Sequence, residues 1–94
     1  MAAVHEAIAA SAPGFCQRQK KLIEDTGKEI KKLPERIDRL EASIRQEESS
    51  GNPDPDVLAT LRQELEAAQH QLEDDQLALP LMQEDFDALC VPHV

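Results

Sequence analysis

The chain has 94 residues, about one small domain at most, and aromatic types are only 2 % of it: Phe15 and Phe86, with no Trp or Tyr. That disfavours an aromatic-cored β-sandwich, and three glycines rule out a glycine-rich phosphate cradle. Nineteen acids against ten bases leave a formal charge of −9, so the chain as a whole repels polyanions.

Residues 1–14 open on an Ala-rich stretch with Val4 and Ile8 spaced for one helical face, followed by the breaker Pro13-Gly14. A short N-terminal helix is expected there. The start carries no Lys or Arg and holds Glu6 among its apolar residues, which makes it a poor signal peptide. No apolar run approaches the ~18–20 residues that span a bilayer. The expected setting is therefore cytoplasmic.

From residue 15 to 48 the pattern is helical. Cys16, Ile23, Ile30, Ile37 and Ile44 recur every seven residues, and Thr26, Leu33 and Leu40 form a second row four places before the last three. This is a heptad with Ile in one core row and mostly Leu in the other. Gly27 and Pro34 lie inside it, and Pro34 predicts a kink. Residues 49–54, Ser-Ser-Gly-Asn-Pro-Asp, concentrate turn formers.

A second helix is predicted from 55 to 89. Its apolar row reads Leu58, Leu61, Leu65, Ala68, Leu72, then Leu79, Met82, Phe86 and Leu89, with Asp75 as the one charged intruder. Asp54 is placed to cap it, with Pro55 at the first helical position and Asp56 beside the positive helix end. Pro80 is a further expected weak point, beside Ala78, which is level with Gly27, so both helices are expected to weaken at one height. The tail, 91–94, contains Pro92.

Two helices joined by a loop this short run antiparallel. The heptads and the loop together select a register that pairs Ile44 with Leu61, Leu40 with Leu65, Ile37 with Ala68 and Leu33 with Leu72. It continues with Ile30 against Asp75, Thr26 against Leu79 and Ile23 against Met82. The same register brings Cys16 beside Cys90 at the open end. It also sets a stretch of six bases and three acids, Arg18 to Lys32, level with the six acids between Glu73 and Asp87. Asp75 opposite Ile30 suits a dry core badly, so it is expected at a splayed, solvent-reached level or paired with Lys28, Lys31 or Lys32.

Few residue sets suggest chemistry. Cys16 and Cys90 either form a disulfide or stand as two small buried thiols kept reduced in a cytosol. Cys16, Cys90, His93 and His5 are the thinkable zinc ligands, but they lack two tight ligand pairs, so no metal and no cofactor are expected. Glu47, Glu48, Asp54 and Asp56 make an acidic tip that capping and solubility account for. The basic stretch from Arg18 to Lys32 is interrupted by Glu24, Asp25 and Glu29 and has no interleaved aromatics, so nucleic acid is not the expected partner. Ser11, Ser43, Ser49 and Ser50 have no histidine-bearing motif nearby, and His70 falls on an outer face. No catalytic role and no small-molecule substrate follow.

The run LPERIDRLEASI, with the acidic Leu-rich helix after it, resembles the coiled-coil tails of some ABC-F ATPases over less than half of the chain. That resemblance, carried by general coiled-coil spacing, implies association with nucleic acid or the ribosome. It is the basis of an alternative reading and assigns no membership.

The fold expected is all-α: a long antiparallel helical hairpin over 15–90, with a short N-terminal helix, dimerising into a four-helix bundle. The function expected is that of a non-enzymatic coiled-coil interaction or oligomerisation module, an adaptor or scaffold. Its seam is carried by Ile23, Ile30, Leu33, Ile37, Leu40 and Ile44 from the first helix. From the second come Leu58, Leu61, Leu65, Leu72, Leu79, Met82, Phe86 and Leu89. The partners expected are a second copy or a larger protein complex, and no membrane. The alternatives are a nucleic-acid contact through the basic side of the first helix, or an acidic tip presented to a partner enzyme.

Overall fold

A computed structural model describes residues 14–90; the expected N-terminal helix and the tail with His93 lie outside the described residues. Among the described residues there are two helices, α1 (Phe15–Glu48) and α2 (Pro55–Cys90), and no strand. They lie side by side, joined by the turn over 49–54, and the molecule measures 66 × 24 × 19 Å. Its radius of gyration is 20.1 Å, against about 12 Å for a compact chain of this length. The described residues form a rod one helix pair wide.

Local chemistry fixes each helix end. Gly14 enters α1 at φ 76°, a left-handed conformation, and a Cβ there would stand 3.0 Å from Arg18 Nη1. At the far end the Ser49 N–H donates to the Arg45 carbonyl at 3.0 Å, and the Ser49 hydroxyl donates to the same oxygen at 2.8 Å. The Asp54 carboxylate caps α2 as its sequence position predicts, accepting from the N–H groups of Asp56 at 2.9 Å and Val57 at 3.4 Å. The Asp54 N–H in turn donates to Glu47 Oε1 at 2.9 Å, which ties the last turn of α1 to the cap of α2.

Both helices run unbroken through the residues expected to weaken them. Pro34 lies inside α1 and Pro80 inside α2, and both are exposed. A proline there removes one backbone hydrogen bond, but on a wet face water can serve the freed carbonyl. Gly27 likewise stays helical, with nothing within 4 Å of a Cβ built on it.

The core is a single layer. Leu33, Leu40 and Ala68 form its buried centre, with Ile37, Leu61, Leu65 and Leu72 packed against it. These are the partners named by the predicted register. Ile44 is buried near the turn, and Leu58, Leu79, Met82 and Phe86 are half-buried. Leu89 departs from expectation: it is 37 % exposed, and Cys90 takes the inward position beside α1. One residue of helical rotation, 100°, carries Leu89 off the seam.

Candidate functional site

The hairpin is fastened at both ends by different means. At the open end Cys16 and Cys90 form a disulfide with their Cα atoms 5.7 Å apart, closing a sequence separation of 74. Of the two states the sequence leaves open, the structure shows the bonded one. At the tip the Glu47 and Asp54 carboxylates are engaged in closing the turn, and Glu48 pairs with Arg62 across the helices at 3.7 Å. Three of the four acids expected at the tip thus have work inside the hairpin. That Glu47 bridges to a backbone N–H seven residues on was not readable from the sequence, since nothing in its spacing marks it.

The middle of the seam holds a polar cluster. Asp75 is 7 % exposed, not splayed into solvent, and no lysine reaches it. Its Oδ1 accepts from Gln71 Nε2 at 2.8 Å, while its buried Oδ2 has no donor as long as Glu29 is ionised. The expectation of a wet or lysine-paired Asp75 is therefore corrected. Its position on the seam row turns it towards α1, whereas Lys28, Lys31 and Lys32 leave α1 on its outer sides and are exposed. The charged neighbour is instead another acid, Glu29. Desolvation, with a hydrogen bond to Asp75 and the charge of Asp75 adding to it, raises the Glu29 carboxyl above its ordinary value of 4.5. The placement of Glu29 one residue before Ile30, which is itself level with Asp75, was the available signal for this meeting.

The two sides of the seam differ. Along α1 the row with Thr26, Leu33 and Leu40 is buried, while Ile23, Ile30 and Ile37 are only half-buried and Ile44 alone of their row is buried, near the turn. Along α2 Ala68 and Asp75 are buried, with Leu61 and Met82 half-buried on the same row, while every member of the other row, Leu58, Leu65, Leu72, Leu79 and Phe86, is only half-buried. Two observations show which side each set belongs to. A groove of about 280 Å³ is lined by Glu29, Arg36, Glu64 and Gln71 together with Leu33 and Ala68, so it opens on the buried-row side. The Glu48–Arg62 pair bridges the helices on the opposite side, because each of these residues lies four places after a member of the other row, Ile44 and Leu58.

Other groups stand apart. A groove of about 490 Å³ along α1 collects Lys28, Lys32, Arg36 and Arg39 with Asp25 and Glu29. Lys21 pairs with Asp25 at 3.2 Å on the exposed surface. His70 is exposed, 3.7 Å from Glu66 and 3.9 Å from Glu73. Leu22, Leu77 and Leu81 are exposed away from the seam. Among the described residues no three His, Cys, Asp or Glu side chains gather as metal ligands, and His5 and His93 lie outside them. No helix of the described residues is long and apolar enough to cross a membrane. Compared with protein-family models, with curated proteins and with solved structures, the chain finds no match.

Proposed function

We propose that the protein is a non-enzymatic interaction module that acts by helix-on-helix packing, as an oligomerisation, adaptor or scaffold element. The observation that carries this reading is the thinness of the core: among the described residues no side chain is completely buried, and most seam residues are only half-buried. A fully enclosed Leu or Ile contributes ~1.5–3 kcal/mol, so each half-buried one leaves part of that stabilisation for a further surface to supply. A bundle of four helices is the simplest structure that supplies it.

Native mass by sedimentation velocity or light scattering at micromolar concentration tests the reading. A species larger than the 94-residue chain is expected. A stable, well-folded monomer that captures no partner would overturn it. Running the experiment with and without reductant also tests the proposed cytoplasmic setting. Glutathione keeps most cytosolic thiols reduced, so in that compartment the module must fold and associate without its Cys16–Cys90 bond.

A nucleic-acid contact is the second reading, supported by the four cations lining the α1 groove. It requires binding that weakens steeply with salt and is lost when Lys28 and Lys32 are changed to Glu. Absence of binding at low salt removes it.

A further inference from the structure

Most of the half-buried seam residues, Ile23, Ile30, Ile37, Leu58, Leu65, Leu72, Leu79 and Phe86, lie on one side of the hairpin, against Leu61 and Met82 on the other, and the residues flanking them are unusual for so charged a chain. Four places after Ile23 and Ile30 come Gly27 and Pro34; four places after Leu65, Leu72 and Leu79 come Gln69, Gln76 and Gln83. Over this stretch the rim of the face carries no charge. Its charged members are Lys20 at the open end, and Glu41 and the Glu48–Arg62 pair towards the tip. The opposite side is flanked instead by Glu29, Arg36 and Glu64. Residues at these rim positions join the two core rows in lining the interior of a four-helix bundle, where a coiled-coil pair would use the rows alone.

We propose that this face is the contact between two copies of the chain, with Ile23, Ile30, Ile37, Leu65, Leu72 and Leu79 meeting their counterparts inside a rim of glutamines. The inference rests on the oligomerisation reading above and gives it a surface. Charge identifies the occupant. A copy with a net charge of −9 is repelled by an identical copy wherever acids meet acids, and this strip is where two copies can approach without that opposition. A strongly charged partner of another kind would gain nothing from a neutral rim. Size agrees as well. From one turn before Ile23 to one turn beyond Ile37 is about 32 Å at 1.5 Å per residue, and two helices side by side span about 20 Å. Each copy then covers about 600 Å², or about 1,200 Å² for the pair, where stable specific interfaces begin.

The test is sedimentation velocity on the full chain across a concentration series, comparing wild type with Gln69→Glu/Gln76→Glu. Both glutamines are exposed, and Glu matches Gln in helix propensity, so the hairpin itself keeps its fold, which far-UV circular dichroism verifies. The control, Ser43→Glu/Gln63→Glu, adds the same charge at exposed positions off the face. The expected result is a wild-type dimer whose dissociation constant rises at least tenfold in the first variant and less than threefold in the control. A wild-type dimer that both variants leave intact would overturn the assignment of the face while leaving oligomerisation standing. Equal weakening by both variants would also overturn it, because the effect would then come from net charge. A wild-type monomer would overturn the oligomerisation reading and this inference with it.

Discussion

Replacing Asp75 by leucine should make the protein more stable, although it removes a buried hydrogen bond. In the folded chain Asp75 is 7 % exposed, one carboxylate oxygen is held by Gln71, and the other has no donor while Glu29 is ionised. An unsatisfied buried polar atom costs about 1–3 kcal/mol, and more when the group is charged. Leucine abolishes that cost and adds apolar burial of up to about 1.5–3 kcal/mol at a level where Ile30 now faces a carboxylate. Against this stand the strain of a larger side chain, about 1–3 kcal/mol, and the loss of the Gln71 contact. Gln71 is exposed, so water replaces its acceptor. The net expectation is a gain of about 2 kcal/mol, which for a domain of this size raises Tm by roughly 8–16 °C. Thermal and urea unfolding at pH 7, followed by far-UV circular dichroism at one fixed protein concentration, measures it. Asp75→Asn, which keeps the shape and removes the charge, should gain less. An unchanged or lowered Tm for Asp75→Leu would refute the claim that the seam carries an uncompensated carboxylate at its centre.

Glu29→Gln should stabilise the protein at pH 7, because the amide presents an N–H to Asp75 where the carboxylate presents like charge. The folded-state pKa of Glu29 is raised, so the stability its proton confers is complete below the ordinary value of 4.5 and is lost as pH rises through the folded value. The gap between variant and wild type should therefore narrow as pH falls towards 4.5, and a pH-independent gap would contradict it. Asp54→Ala removes the α2 cap and should cost about 1 kcal/mol in urea unfolding. Reducing the Cys16–Cys90 bond opens a loop of sequence separation 74, and the chain-entropy estimate gives a loss of about 4.5 kcal/mol, visible as a lower Tm in dithiothreitol. Leu40→Ala, in the buried centre, should cost about 2–5 kcal/mol, while Leu77→Ala, at 72 % exposure, should change stability by less than about 0.5 kcal/mol.

The pairing of the helices was legible because an apolar residue every three and four places leaves a single stripe on each helix, and a short turn permits a single antiparallel alignment of two stripes. Leu33, Leu40, Ala68 and Leu72 pack where that alignment sets them, and the Asp54 cap follows from a residue type with a well-defined preference. What escaped was decided by orientation finer than the heptad. Leu89 and Cys90 are neighbours in sequence, and the rotation of the last turn chooses which of them faces α1. By its chemistry alone Asp75 reads as a wet or lysine-paired residue. Its row position prevailed, because Asp75 sits in mid-helix between Ala68 and Met82 on the row that faces α1, and the helix carries it inward whatever its side chain. The acidic tip was legible as composition only, since the bond from Asp54 to Glu47 depends on how the turn folds back. The unequal burial of the two sides of the seam is likewise not reported by any spacing rule, since the heptad treats both rows alike.

The cross-link between Cys16 and Cys90 makes the chain between them a covalent ring, drawn out flat into two strands of helix. A ring pinched shut at one end by sulfur and at the other by a capped hairpin bend does not fray from its termini as an ordinary helix pair does. Its strands part first as a blister in the middle, around Asp75, where apolar adhesion is poorest. Amide exchange should accordingly be fastest around residues 26–30 and 75–79 while the disulfide is intact, and should shift to the Cys16–Cys90 end once it is cut.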